Sequence, residues 1–287
     1  MKVLVTGGAG FIGRNLVDRL RSYGHKVLVL DKAPAGQNNQ FGSNDIIDLR
    51  NWVDFGENEP YDVVYHLAAY VSASKSLEEP DQCYNTNIKG TLNLIDKFNF
   101  KRIVFASSAA VYGSRMCPTD GFIENIDMAP LTHLLTPYAK TKLMGEQIIH
   151  DLCPSYANLR FFNVYGDNQN PEYGAVIQSF VDCSRNGKPY KIYGDGEQIR
   201  DFIHVRDVIN ALLFSGEGID TNFCANVGTG VGTSVNELQQ LISKDGEVVR
   251  HESRDGDPLH SVANIHKLKY LGWSPKIQLS SGIFGLL

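Results

Sequence analysis

Tyr138 and Lys142 stand four residues apart, just after Thr136-Pro137, a pairing that marks a helix start: the Thr136 hydroxyl suits the cap and Pro137 the first helical position. On a helix the phenol and the ammonium share one face. A phenol ordinarily titrates near about 10, so it serves as a base at neutral pH only where a cation stabilises its phenolate, and Lys142 can supply that charge. Tyr-x-x-x-Lys also arises by chance on helix surfaces. What sets this pair apart is Ala106-Ser107-Ser108-Ala109-Ala110-Val111-Tyr112-Gly113, which brings hydroxyls to the carboxyl end of the apolar run Ile103–Ala106. Doubly wound sheets gather ligand chemistry at that edge.

A second chemistry-bearing segment lies near the amino end. Thr6-Gly7-Gly8-Ala9-Gly10-Phe11-Ile12-Gly13 follows Val3–Val5 and opens a helical pattern. Glycines there let the backbone approach a pyrophosphate, and the helix start offers free N–H groups. The run parses as Gly8-x-Gly10-x-x-Gly13 or Gly7-x-x-Gly10-x-x-Gly13. Asp31 closes the next apolar run, Val27–Leu30, 18 positions after Gly13, where an acid can bond the ribose hydroxyls of an adenosine. Such a carboxylate repels a 2′-phosphate and favours NAD over NADP, although Lys32 beside it pulls the other way. A tight turn and a strand-end acid are the plainer readings of each feature alone. Their order and spacing together predict a dinucleotide site.

The elements that must position these groups follow the pattern of an α/β fold with a doubly wound parallel sheet. Val3–Val5, Val27–Leu30, Val63–Leu67, Ile103–Ala106 and Asn158–Phe162 read as buried strands. Between them Phe11-Ile12, Leu16-Val17 and Leu20 recur at helical spacing, as do Ile88, Leu92 and Ile95, then Leu143, Ile148 and Leu152. From Gly166-Asp167-Asn168-Gln169-Asn170-Pro171 onward the elements become shorter and more broken. This predicts a dinucleotide domain over 1–166, to which the chain returns around 202–226, and a smaller α/β substrate domain over most of 167–287. Ser234-Val235-Asn236-Glu237 has the form of a capping box, and Gly272 reads as a helix stop.

Composition removes other classes. The 287 residues carry 27 basic and 32 acidic side chains, a net charge of −5, which argues against nucleic acid and anionic membrane as partners. Phosphate must then be held by local groups. Val3–Val5 is too short for a signal peptide core, and no apolar stretch approaches a membrane span. Cys83, Cys117, Cys153, Cys183 and Cys224 are scattered, and the histidines form no HxxH or HExxH, so no metal is expected. A reducing, cytoplasmic setting suits these cysteines. His66 reads as a structural strand-end residue, and Glu78-Glu79-Pro80-Asp81 as a solvated helix start.

With these motifs assembled, the chain resembles the extended short-chain dehydrogenase/reductase family, with its Rossmann domain, and most closely its nucleotide-sugar epimerases. The resemblance rests, in order, on the Gly7/Gly10/Gly13 turn, His66-Leu67-Ala68-Ala69, Asn87-Ile88-Lys89-Gly90-Thr91, Ser107 to Gly113, Tyr138-x-x-x-Lys142, Arg160 to Gly166, and Gly194 to Val205. It implies Tyr138 as catalytic acid and base, Ser108 as its partner on the sugar hydroxyl, and Lys142 as phenol tuner and ribose anchor. It also implies NAD contacts at Gly7, Gly10, Phe11, Ile12, Gly13, Asp31, Lys32, Asp48, Leu49, Leu67, Ala68, Ala69, Asn87, Ser107 and Phe161. Asn163, Val176, Arg200, Arg254, Asp257 and Ser261 are implied on the substrate side.

Relatives that eliminate water or carbon dioxide usually carry an acid just after the active-site Ser or Thr. Here Ala109 and Ala110 stand in those places, which implies inversion at C4 of a UDP-hexose or UDP-N-acetylhexosamine. A small gatekeeper at Ser261 would admit 2-acetamido sugars. A UDP-uronate 4-epimerase, a keto-sugar reductase and a non-catalytic NAD sensor are the competing expectations. The resemblance further implies a homodimer, formed by apolar faces near Ile88–Ile95 and Leu143–Leu152.

Overall fold

The computed structural model describes residues 1–32, 45–46, 48–50, 59–113, 115–124, 131–167, 169, 175–253 and 258–287. In chain order its first elements are β1 (Lys2–Thr6), α1 (Phe11–Ser22), β2 (Lys26–Asp31), β3 (Asp45–Ile46), β4 (Tyr61–His66), α2 (Lys75–Glu78), α3 (Pro80–Tyr84), α4 (Gly90–Lys97), β5 (Phe100–Ser108), α5 (Pro137–Leu152) and β6 (Tyr156–Phe161). They are followed by β7 (Asn163–Tyr165), α6 (Val176–Asn186), β8 (Tyr190–Tyr193), β9 (Ile199–His204), α7 (Val205–Glu217), β10 (Phe223–Val227), β11 (Gly232–Ser234), α8 (Val235–Ile242), β12 (Val248–His251), β13 (His260–Ser261), α9 (His266–Leu271) and α10 (Leu279–Phe284).

The chain forms two compact units. The first comprises Met1–Val111, Thr136–Arg160 and Ile209–Ala225, and the second Tyr112–Leu135, Phe161–Val208 and Asn226–Leu287. Against the expected boundary at 166 and return around 202–226, this grouping puts the break at Arg160, the return at Ile209–Ala225 and the excursion 112–135 with the second unit. Its contacts explain why. Tyr112 stacks on Phe122 with ring centroids 4.4 Å apart, Phe122 N–H donates to the Val262 carbonyl across 2.8 Å, and the Glu124 carboxylate accepts from Asn226 N–H at 2.7 Å.

A seven-stranded sheet runs in the order β10-β6-β5-β4-β1-β2-β3, with β1 parallel to both β2 and β4, and β4 parallel to β5. Strand order reverses direction between β1 and β4, the switch point outside which doubly wound sheets bind ligands. The turn after β1 holds Gly7–Gly13, and the turn after β4 holds Leu67-Ala68-Ala69. Beneath them Leu4, Leu30, Val64, Leu94, Ile103, Phe105 and Ile149 form one buried cluster, in which residues of β1, β2, β4 and β5 meet residues of α4 and α5. Apolar runs on these strands are continuous rather than alternating because both faces of the sheet are covered.

The second unit is built around β9, which pairs parallel with β7 and β13 and antiparallel with β11. Its core gathers Tyr165, Ile177, Phe180, Tyr190, Phe202, Leu238, Ile242 and Ile283. Both local signals read from the sequence here are present. Ser234 and Glu237 form a reciprocal capping box on α8, and Gly272 ends α9 in the left-handed conformation at φ 109°.

Candidate active site

Helix α5 begins where its cap dictates. Thr136 accepts from Ala139 N–H at 3.2 Å and Pro137 occupies the first turn. Tyr138, whose own N–H has no partner within the helix, donates to the Ser76 hydroxyl of α2 at 3.2 Å. One turn on, the buried Lys142 ammonium donates to the Ala106 carbonyl at 2.7 Å. It also lies 5.1 Å from the centre of the Phe105 ring and 5.9 Å from that of Tyr138. Ser108, the last residue of β5, takes the Ala110 N–H at 3.2 Å, and its hydroxyl is near enough to the Tyr138 phenol to influence its titration. The three residues expected to do the chemistry are therefore brought together within the first unit.

Their proton affinities follow from burial. Desolvation pushes the Tyr138 phenol above its usual range, and the Ser108 hydroxyl draws it partly back. Desolvation also lowers the Lys142 ammonium to about 8. The protein's own groups thus keep Tyr138 protonated at neutral pH, and the phenol can take a proton only once a further positive charge stands beside it.

Asn87 is a junction rather than a lone contact. Its side-chain oxygen accepts from Tyr70 N–H at 2.7 Å and its amide donates to Thr141 Oγ1 at 2.8 Å, which ties the loop after β4 to α5. It sits in a π-helical turn, Asn85–Lys89, between α3 and α4; such wide turns often reorient a functional side chain. His66 is the structural residue expected. Its two ring nitrogens bond Thr6 Oγ1 at 2.7 Å and Thr91 Oγ1 at 2.8 Å, and burial lowers it to about 3.

The glycine turn fits a dinucleotide. A Cβ on Gly13 would lie 2.1 Å from the Gly7 carbonyl oxygen, and one on Gly7, at φ +72°, 2.7 Å from Ala68 N. Only glycines allow this loop to close against the segment after β4. Gly10, Phe11 and Ile12 complete the turn and open α1. Asp31 reaches it from the end of β2, accepting from Ala9 N–H at 2.9 Å, and the neighbouring Lys32 is exposed. Leu67, Ala68 and Ala69 are half-buried beside the loop. Asp48 is engaged by the Arg50 guanidinium, whose hydrogen bond holds its carboxyl below the usual carboxylate range, while Leu49 is buried. The hydroxyl of Ser107, a residue expected beside the cofactor, donates to Glu146 at 2.5 Å.

Within the second unit, three implied substrate residues converge on β9. Asn163 of β7 donates to the Asp201 carbonyl at 3.2 Å, Arg200 lies in β9 itself, and Ser261 of β13 is in register with Arg200. Beside Arg200, the Asp201 carboxylate accepts from Thr229 N–H, the Thr229 hydroxyl, Gly230 N–H and Ala263 N–H, which fixes both strand edges. Val176 opens α6 and Phe161 closes β6. Arg254 and Asp257 lie outside the described residues. Among the described residues no three His, Cys, Asp or Glu side chains gather as metal ligands, and no helix is long and apolar enough to cross a membrane.

The sequence reading overlooked Glu146, Ser76 and Thr141. Glu146 carried a visible signal, because it continues the Tyr138, Lys142 spacing by one more turn on an apolar helix face.

Comparison with known proteins gives the same architecture a wider context. A provisionally named UDP-glucose 4-epimerase of Methanocaldococcus jannaschii is 38% identical over 303 residues, covering 98% of this chain and 95% of that one. The UDP-glucose 4-epimerase of Mycolicibacterium smegmatis is 33% identical over 308 residues, covering 99% and 96%. Among solved structures, a UDP-N-acetylglucosamine 4-epimerase of Methanobrevibacter ruminantium in complex with UDP-N-acetylmuramic acid superposes with a TM-score of 0.87 at 32% identity, covering 99% of this chain and 97% of that chain. The model of the NAD dependent epimerase/dehydratase family matches residues 3–228, and this chain belongs to that family.

Proposed function

We propose that this protein inverts C4 of a UDP-hexose or UDP-N-acetylhexosamine through a transient 4-keto sugar. The observation that carries the reading is the Ser108, Tyr138, Lys142 cluster joined to a segment, Ala109-Ala110, that holds no acid for eliminating water. Tyr138 would take the C4 hydroxyl proton and later return it, with Ser108 orienting the sugar oxygen and Lys142 charging the surroundings of the phenol. Bound NAD supplies a hydride acceptor and donor that ends the cycle unchanged. Asp31, the Gly7–Gly13 turn and Asn87 would hold that cofactor. Asn163, Val176, Arg200 and Ser261, with Arg254 and Asp257, would hold the diphosphate and sugar, a small Ser261 admitting an acetamido group.

The reading extends to assembly and location. The exposed Leu92 and Leu152 on α4 and α5 suit a helical homodimer contact, and the spread of the five cysteines along the chain suits a reducing cytoplasm. Incubating the protein with a panel of sugar nucleotides, without added reduced cofactor, tests the activity by NMR of the anomeric protons. Interconversion of UDP-glucose and UDP-galactose, or of their N-acetyl counterparts, to a fixed ratio is expected. Reaction of UDP-glucuronate alone, loss of water, or no change overturns it. Light scattering after size exclusion reads the dimer.

A further inference from the structure

The end of β5 and the inner face of α5 are fastened by two hydrogen bonds. Ala106 accepts from Lys142 and the Ser107 hydroxyl donates to Glu146, while the next strand residue, Ser108, acts on the Tyr138 phenol one turn before Lys142. The fastening farthest along the helix from the phenol has the strongest partners. Glu146 is 6% exposed, and Arg160 of β6, 7% exposed, grips it with Nε to Oε1 at 2.9 Å and Nη2 to Oε2 at 2.7 Å. Asn158, also of β6, donates to the Glu146 carbonyl at 3.2 Å, and Cys224 Sγ lies 3.8 Å from Oε2.

We propose that Glu146, clamped between Ser107 and Arg160, is a positioning residue for the reaction: it sets the axial register of α5 against β5 and so fixes Tyr138 on Ser108 and Lys142 on Ala106. Helix register is coarse, since one residue is a rise of about 1.5 Å. A shift of that size breaks both hydrogen bonds. Fork-shaped Arg–carboxylate pairing resists both sliding and rotation. A buried ion pair contributes little net stability compared with apolar residues of the same volume, so its value here lies in specifying geometry. The Glu146 carboxylate also stabilises the Lys142 ammonium one turn away.

The inference rests on Tyr138 and Lys142 being the reacting pair, so its test has one readout that needs no turnover. Protein labelled with 13C at the lysine ε-carbon is titrated by NMR, with the Lys142 signal identified by its loss in Lys142→Met. Glu146→Gln is expected to lower the Lys142 midpoint by at least half a pH unit, and an unchanged midpoint overturns the proposal. In turnover assays Glu146→Gln is expected to reduce kcat about tenfold with KM unchanged, as for an interaction realised only in the transition state. In a double-mutant cycle, Ser107→Ala adds nothing further to Glu146→Gln; additive losses show that the two act separately and also overturn it. Glu146→Gln/Arg160→Met removes both charges from the core and carries the same measurements if the single variant does not fold. Absence of epimerase activity in the wild type, with the midpoint still shifted, refutes the proposed reaction but not the coupling.

Discussion

The Lys142 ammonium donates to the Ala106 carbonyl across 2.7 Å, spanning from a helix to the strand residue two places before Ser108. One backbone acceptor does not replace the hydration of an ammonium, so burial lowers this group to about 8. If the cation is needed, kcat falls as pH rises through about 8, and Lys142→Arg, with its permanently charged guanidinium, moves that limb upward. A pH profile level to pH 10 in the wild type removes Lys142 from this role. Stability runs oppositely. Between about 8 and the unfolded value the unfolded chain binds more protons, so this site makes the fold firmer as pH climbs through that window. Lys142→Met is therefore expected to stabilise NAD-free protein at pH 7 by roughly 1–3 kcal/mol while inactivating it, read by urea denaturation.

Tyr138→Phe deletes one oxygen and leaves the ring. Turnover is expected to drop by about 10²–10⁴-fold with the NAD content of the purified protein unchanged. Wild-type rates in this variant are incompatible with a phenol that shuttles the proton.

Two glycines separate close approach from conformation. A Cβ at Gly13 meets the Gly7 carbonyl oxygen at 2.1 Å and Gly8 Cα at 2.7 Å, whereas Gly24, at φ +79°, has nothing within 4 Å of the same position. Gly24→Ala carries only a left-handed backbone cost of about 1–2 kcal/mol and keeps NAD affinity. Gly13→Ala is expected to weaken NAD binding at least about tenfold, measured by calorimetry. Equal affinity in the two variants contradicts a backbone cradle at this turn.

His66 predicts an acid sensitivity unrelated to catalysis. Both ring nitrogens are bonded and burial holds it at about 3, so its contribution is complete above the usual histidine pKa and is lost as pH falls from there toward about 3. Replacing it with Gln is expected to destabilise the protein at pH 7 and to flatten the decline in urea midpoint between pH 7 and 5. A slope identical to that of the wild type assigns the decline to other groups.

Much of this arrangement was legible in the residues. The runs Val3–Val5 and Val27–Leu30 fall inside β1 and β2 because both faces of a covered sheet demand apolar side chains. Thr136-Pro137 and Ser234 to Glu237 declared their helix starts because capping is chemistry within four residues. What stayed hidden is nonlocal or too short for a period. Strands β3 and β13 have two residues each, and the excursion 112–135 is assigned only by contacts such as Asn226 with Phe122 and Glu124. Glu146 and Arg160 belong to different elements, so no local window pairs them.

The trio proposed to react, Ser108, Tyr138 and Lys142, lies wholly in the first unit, while Asn163, Arg200 and Ser261 share the β7–β9–β13 sheet of the second. Each set rests on its own buried cluster. On the proposed assignment the proton chemistry is carried apart from the choice of sugar: substitutions along β9 and β13 are expected to change which nucleotide sugar is accepted while leaving the strand and helix of the trio untouched.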